Sequence, residues 1–111
     1  MTKFTDFLKE LGISQQEYMK RAKSKAKAEN YDPKELKFST DDKHKLSYKG
    51  VNFGSATNGD YIIYSILANE GKYSKEEIDK KRKSYLARAK PTMLRMNDEG
   101  SPSALSYYIT W

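Results

Sequence analysis

Valine occurs once in this chain, at Val51, and the apolar bulk is carried largely by nine Tyr, four Phe and one Trp. With 37% hydrophobic residues and a net charge of +6, the composition leans toward the disordered corner of sequence space. The aromatics argue against disorder, because each buries a large body while its polar tip stays satisfied. The expectation is a small folded domain whose core is built from aromatics more than from branched aliphatics. A chain of 111 residues is the size of one domain, 1–111, and buries roughly two-thirds of its unfolded surface.

Cysteine is absent and His44 is the single histidine, so a disulfide framework, a thiol nucleophile, a Cys-type zinc site and a His cluster are all excluded. The first residues lack the basic start, apolar run and small-residue cleavage site of a signal peptide, and no stretch approaches a membrane span, so neither is expected. The positive charge fits nucleic acid, an acidic protein surface or simply a lysine-rich proteome, and net charge does not separate the three.

Residues 1–35 read as helical. Phe4, Phe7, Leu8 and Leu11 fall at helical spacing before Gly12, a natural stop. Ser14 and Glu17 then form a capping box with Ile13 and Tyr18 as a hydrophobic staple, opening a second helix to about Asn30. Tyr18, Met19, Ala22 and Ala26 share one arc of that helix, and Lys20, Lys23 and Lys27 line another. Asp32-Pro33 with Glu35 predicts one further helical turn.

Residues 36–54 change period. Leu46 and Tyr48, then Val51 and Phe53, alternate around Lys49-Gly50, which predicts a β-hairpin. An earlier strand near 37–40 would precede the Asp41-Asp42-Lys43 turn, giving a three-stranded antiparallel sheet with helices on one side. The fold class expected is therefore α+β.

Residues 55–111 return to helix. Residues 54–59 are the most loop-like run, and Asp60 can cap a helix carrying Ile62, Ile63, Ile66 and Leu67. Tyr73, Ser74, Glu77 and Ile78 repeat the staple and capping box, and the helix they open should end before Pro91. Its apolar stripe is Ile78, Tyr85, Leu86 and Ala89, with Arg82 in the middle and Arg88 at the flank. Residues 92–100 look irregular. Ser101-Pro102 then caps a last, aromatic helix over 103–111, with Leu105, Tyr108 and Ile109 on one side and Tyr107 and Trp111 on another.

Phe53-Gly54, Asp60-Tyr61, Lys80-Lys81-Arg82 with Tyr85 and Arg88, and Ser103-Ala104-Leu105-Ser106 closing on Trp111 resemble, in order and spacing, a group of short proteins of large tailed phages and giant DNA viruses. The pattern of that group is F-G, an Asp near Tyr or Phe, R-K-x-x-Y/F-x-x-R-H, then a small residue and an aromatic-rich stretch ending in Trp. The resemblance spans residues 51–111 and leaves the first two helices outside. Ala89 stands where the pattern has His, so no activity resting on that His carries over. The resemblance implies a viral origin and a virion-associated protein, and lends no reaction mechanism.

The chemistry-bearing residues are sparse. Asp41-Asp42 lacks calcium-loop spacing, His44 reads as a turn residue, and residues 54–59 lack the G-K-[ST] ending of a phosphate loop, so no metal or cofactor is expected. Arg82, on the core side, needs an acceptor, and Asp60 is the best candidate; Tyr85 is expected to pack on Phe53. Phe53, Gly54, Asp60, Arg82, Tyr85 and Arg88 are thus read as structural, although Arg82, Tyr85 and Arg88 could also grip phosphate or stack on a base. No acid, base or nucleophile pair is recognisable, which argues against an enzyme. The expected function is a non-enzymatic auxiliary protein of a phage or viral particle, in the virion and, during assembly, the host cytoplasm. Tyr107, Tyr108, Trp111 and the Lys20, Lys23, Lys27 ridge would bind viral structural proteins such as a major capsid protein, with a secondary nucleic-acid contact and no membrane. On that reading, removing residues 107–111 leaves a folded monomer. The alternative is a small basic nucleic-acid-binding accessory protein.

Overall fold

The computed structural model describes residues 2–96 and 101–111, with residues 92–96 described by backbone alone. Helix α1 (Lys3–Glu10) is opened by Thr2, whose side chain accepts from the Thr5 N–H, and it buries Phe4 and Leu8. Gly12 then takes φ +74, and Ile13 N–H reaches back to the Leu8 carbonyl at 2.9 Å, so the chain reverses within a few residues. Ser14 caps α2 (Gln15–Ala28) through the Glu17 N–H, and Tyr18, Ala22 and Ala26 face inward. The helix stops two residues short of Asn30, which is itself left-handed at φ +69. Asp32 caps the short 3-10 turn Pro33–Glu35, as its Asp-Pro sequence predicts.

Strands β1 (Leu36–Phe38), β2 (His44–Tyr48) and β3 (Val51–Ser55) form an antiparallel sheet in that order. Leu46 sits at its centre, opposite Phe38 on one side and Phe53 on the other. The first strand covers 36–38 against the expected 37–40; Ser39 N–H still donates to the Lys45 carbonyl at 3.0 Å, but its hydroxyl donates to Asn52 Oδ1 at 2.8 Å and accepts from the Asp41 N–H at 3.0 Å, which opens the turn. Residues 54 and 55, expected in the loop, complete β3 instead.

Tyr48 faces Val51 across the hairpin, and Lys49 and Gly50 have φ +48 and +84, the double left-handed step of a type I′ turn. A Cβ on Gly50 would touch nothing within 4 Å, so a substitution there meets backbone strain alone. Gly50→Val should lower stability by about 1–3 kcal/mol in urea unfolding, whereas Gly50→Asn, which tolerates φ > 0, should cost less.

Asp60 caps α3 (Tyr61–Asn69), and the Ser74–Glu77 box opens α4 (Lys75–Met96) with Glu77 N–H donating to Ser74 Oγ at 3.1 Å. Contrary to the sequence expectation, α4 runs through Pro91, and residues 92–96 are helical; the irregularity expected for 97–100 lies outside the described residues. Ala87, whose carbonyl loses its partner at Pro91, is exposed, so water can take the place of the missing N–H. Ser101 caps α5 (Pro102–Leu105), which passes into a π turn, Ser106–Thr110.

The core also departs from expectation. Of the aromatics, Phe4, Tyr18, Tyr48 and Phe53 are buried, but aliphatic side chains such as Leu8, Leu46, Ile63, Leu105 and Ile109 supply more of the interior. The remaining tyrosines sit at its margin, where their hydroxyls stay within reach of water or polar partners. Both faces of β2 carry a buried side chain, Leu46 on one and its neighbour Lys45 on the other.

Candidate functional site

The deepest polar group is Asp60, which is fully buried. Its Oδ1 accepts from the Ile63 N–H at 2.8 Å and thereby caps α3. Its Oδ2 accepts from the Tyr18 hydroxyl at 2.6 Å and from Lys45 Nζ at 2.8 Å. One carboxylate thus joins α2, β2 and the start of α3. Gly54, opposite Lys45 in the hairpin register, makes room for the lysine stem: a Cβ there would lie 3.3 Å from Lys45 Cδ.

Burial first, and then the charge and hydrogen bond of Asp60, push the Tyr18 hydroxyl well above its ordinary value. A folded-state value above the unfolded one contributes stability below about pH 10 that disappears as pH rises further, because only the unfolded chain ionises readily there. The alkaline fall in stability should be shallower in Tyr18→Phe, measured by denaturant titration across that range.

Arg82 does not pair with Asp60. Its Nε donates to the Trp111 carbonyl at 2.8 Å, and its guanidinium lies 4.8 Å from the centre of the Tyr61 ring. The acceptor expected inside the domain is therefore a backbone oxygen, because Lys45 already occupies Asp60. Tyr85 likewise meets a different partner from the expected Phe53: it stacks on Trp111 at 4.3 Å with the rings 9° from parallel. The π turn explains the change. Trp111 N–H bonds the Ser106 carbonyl at 3.2 Å, and this wider winding brings Trp111 onto α4 while Leu105 and Ile109 stay in the core.

A cleft of about 570 Å³ opens beside this junction, between the loop following β3, helix α4 and the terminal turn. Asn58 and Gly59 border it from the loop, Tyr85 and Arg88 from α4, and Trp111 from the end of the chain. Gly59 has a steric role, since a Cβ there would collide with the Tyr64 ring. Arg88 is exposed, and its Nε donates to the Ser84 carbonyl at 3.3 Å. A neighbouring hollow of about 420 Å³ shares Tyr64, Arg88 and Trp111 and adds Lys80 and Lys81. Lys81 Nζ lies 5.1 Å from the Tyr64 ring centre.

The residues read as partner-binding divide. Lys20, Lys23 and Lys27 are exposed on α2. Tyr107 and Tyr108 are half-buried and meet edge to face at 5.0 Å. Trp111 is half-buried like them, with its ring stacked on Tyr85 and its carbonyl accepting from Arg82 Nε. His44 hydrogen-bonds through Nδ1 to Asp41 Oδ2 at 2.9 Å, and Asp41 Oδ1 accepts from the Lys43 N–H at 2.8 Å, the geometry of a self-contained turn. Among the described residues no group of three or more His, Asp or Glu is placed to hold a metal ion.

Sequence reasoning missed Lys45 and the Tyr18 hydroxyl. Strand alternation sends Lys45 away from Leu46 and hence toward solvent, and only the tertiary return of Asp60 reveals its partner. A faint signal was available in Gly54, a small residue opposite a long one.

Comparison with protein-family models, curated proteins and solved structures returns no match.

Proposed function

We propose that this α+β chain is a non-enzymatic auxiliary protein of a viral particle, docking on a structural protein such as the major capsid protein. The observation that carries the reading is the setting of Tyr107 and Tyr108. They project half-buried from a terminal segment whose neighbours Leu105 and Ile109 are fully buried. Tyrosines on a fixed backbone give much contact area for little ordering cost, which favours binding protein. Helix α2 packs on the terminal turn, so the Lys20, Lys23 and Lys27 ridge belongs to the element beside that pair and adds fit to an acidic surface. The resemblance to phage and giant-virus proteins supports that class of partner, and with it a location in the virion and, during assembly, in the host cytoplasm.

Tyr107→Ser with Tyr108→Ser should leave the melting temperature nearly unchanged and abolish co-sedimentation with particles. Normal incorporation of the double variant would sink the reading. A second reading, a nucleic-acid accessory role, is favoured by the three ridge lysines, which form no ion pair among the described residues. It requires a gel shift on heterologous DNA that weakens steeply with salt, whereas a capsid component leaves the DNA unshifted.

A further inference from the structure

The cleft beside the Tyr85–Trp111 stack is not used by the docking face, and its chemistry is specific enough to name a ligand class. Its volume of about 570 Å³ lies within the range of small-molecule sites. One wall is the parallel Tyr85–Trp111 pair, with the Tyr64 ring centre 6.1 Å from Trp111. On the loop side, the Ser55 and Asn58 side chains border the cleft and have no hydrogen-bond partner among the described residues. Toward the adjoining hollow stand Lys80, Lys81 and Arg88.

The charge there is unbalanced. Three cations, Lys80, Lys81 and Arg88, line that hollow against one carboxylate, Glu77, and the buried Asp60 is already paired with Lys45. An anion is therefore called for at the Arg88 and Lys81 end. A planar ring fits along the aromatic wall, and the exposed Ser55 and Asn58 offer hydrogen bonds to its polar edges. A bare phosphate leaves the aromatic wall unused, and a hydrocarbon ring leaves the cations without a counter-charge.

We infer that this cleft binds a nucleoside phosphate, with the base against Tyr85 and Trp111 and the phosphate at Arg88 and Lys81. The ligand is either a free mononucleotide or the phosphorylated end of a strand, and both carry the same chemistry. Gly59 serves the site by leaving Tyr64 undisplaced.

Trp111 is the single tryptophan, so its fluorescence reports on the site directly. The full chain is titrated with AMP, GMP, CMP and UMP, with adenosine and inorganic phosphate separately, and with 5′-phosphorylated and 5′-hydroxyl oligonucleotides. The expected result is a saturable change with a mononucleotide or with the 5′-phosphorylated strand, which also identifies the source. Adenosine and phosphate alone should each bind about tenfold or more weakly. Arg88→Glu should weaken binding about tenfold or more at an unchanged melting temperature, and Lys34→Glu, at an exposed position that borders neither hollow, should leave it unchanged. No saturable change with either source, or equal weakening by Arg88→Glu and Lys34→Glu, overturns the inference.

Discussion

Replacing Asp60 with Ala should lower the stability of this domain by about 3–5 kcal/mol, a large share of what a chain of this size commonly has. The effect comes from what remains. Lys45, only 3% exposed, would keep a charge with no carboxylate beside it, and the buried Tyr18 hydroxyl would lose its acceptor. The N-cap of α3 would go as well, because the Asp60 carboxylate also receives the Ile63 N–H. If the stranded charge dominates, Lys45→Met in the Asp60→Ala background should recover part of the loss, since an apolar side chain of similar length needs no counter-ion. Equilibrium urea unfolding of the two variants tests both statements. A single-variant loss below about 1 kcal/mol would show that the triad contributes little.

Removal of residues 107 to 111 should unfold the chain, the opposite of what the sequence alone suggests. Ile109 is fully buried and Thr110 nearly so, and Trp111 provides both the stacking partner of Tyr85 and the acceptor of Arg82. Ile109→Ala alone should cost about 2–5 kcal/mol. Arg82→Ala should be milder, because the acceptor it leaves behind is the carbonyl of half-buried Trp111, which water can reach. Circular dichroism of the truncated chain checks the first expectation, and thermal melts check the two point variants. A folded, cooperative truncated protein would mean that the terminal segment is an appendage.

Local chemistry was legible wherever a few consecutive residues decide the outcome. The Ser14 and Ser74 caps, the Asp60 cap and the Lys49-Gly50 turn all form where their sequence patterns place them. Longer-range partners were not legible, because each depends on which elements meet. Asp60 could serve Arg82 or Lys45, and nothing in the spacing shows that β2 delivers Lys45 first. Pro91 shows the limit of a local rule: its site is exposed, so the freed carbonyl is open to water, and the helix continues. The terminal segment shows another. A regular helix cannot bury Leu105 and Ile109 while laying Trp111 on α4, but a π turn can, and π winding has no sequence signature comparable to a cap. Of the candidate site, Tyr85, Arg88 and Trp111 were singled out in advance, whereas the cleft that joins them depends on the fold.

The most direct test of the proposed role is quantitative mass spectrometry of gradient-purified viral particles from cells that express this chain. The account predicts that the chain is present at a fixed ratio to the major capsid protein and remains after nuclease treatment and a high-salt wash. Its absence from particles, or its release together with the nucleic acid, would contradict the account.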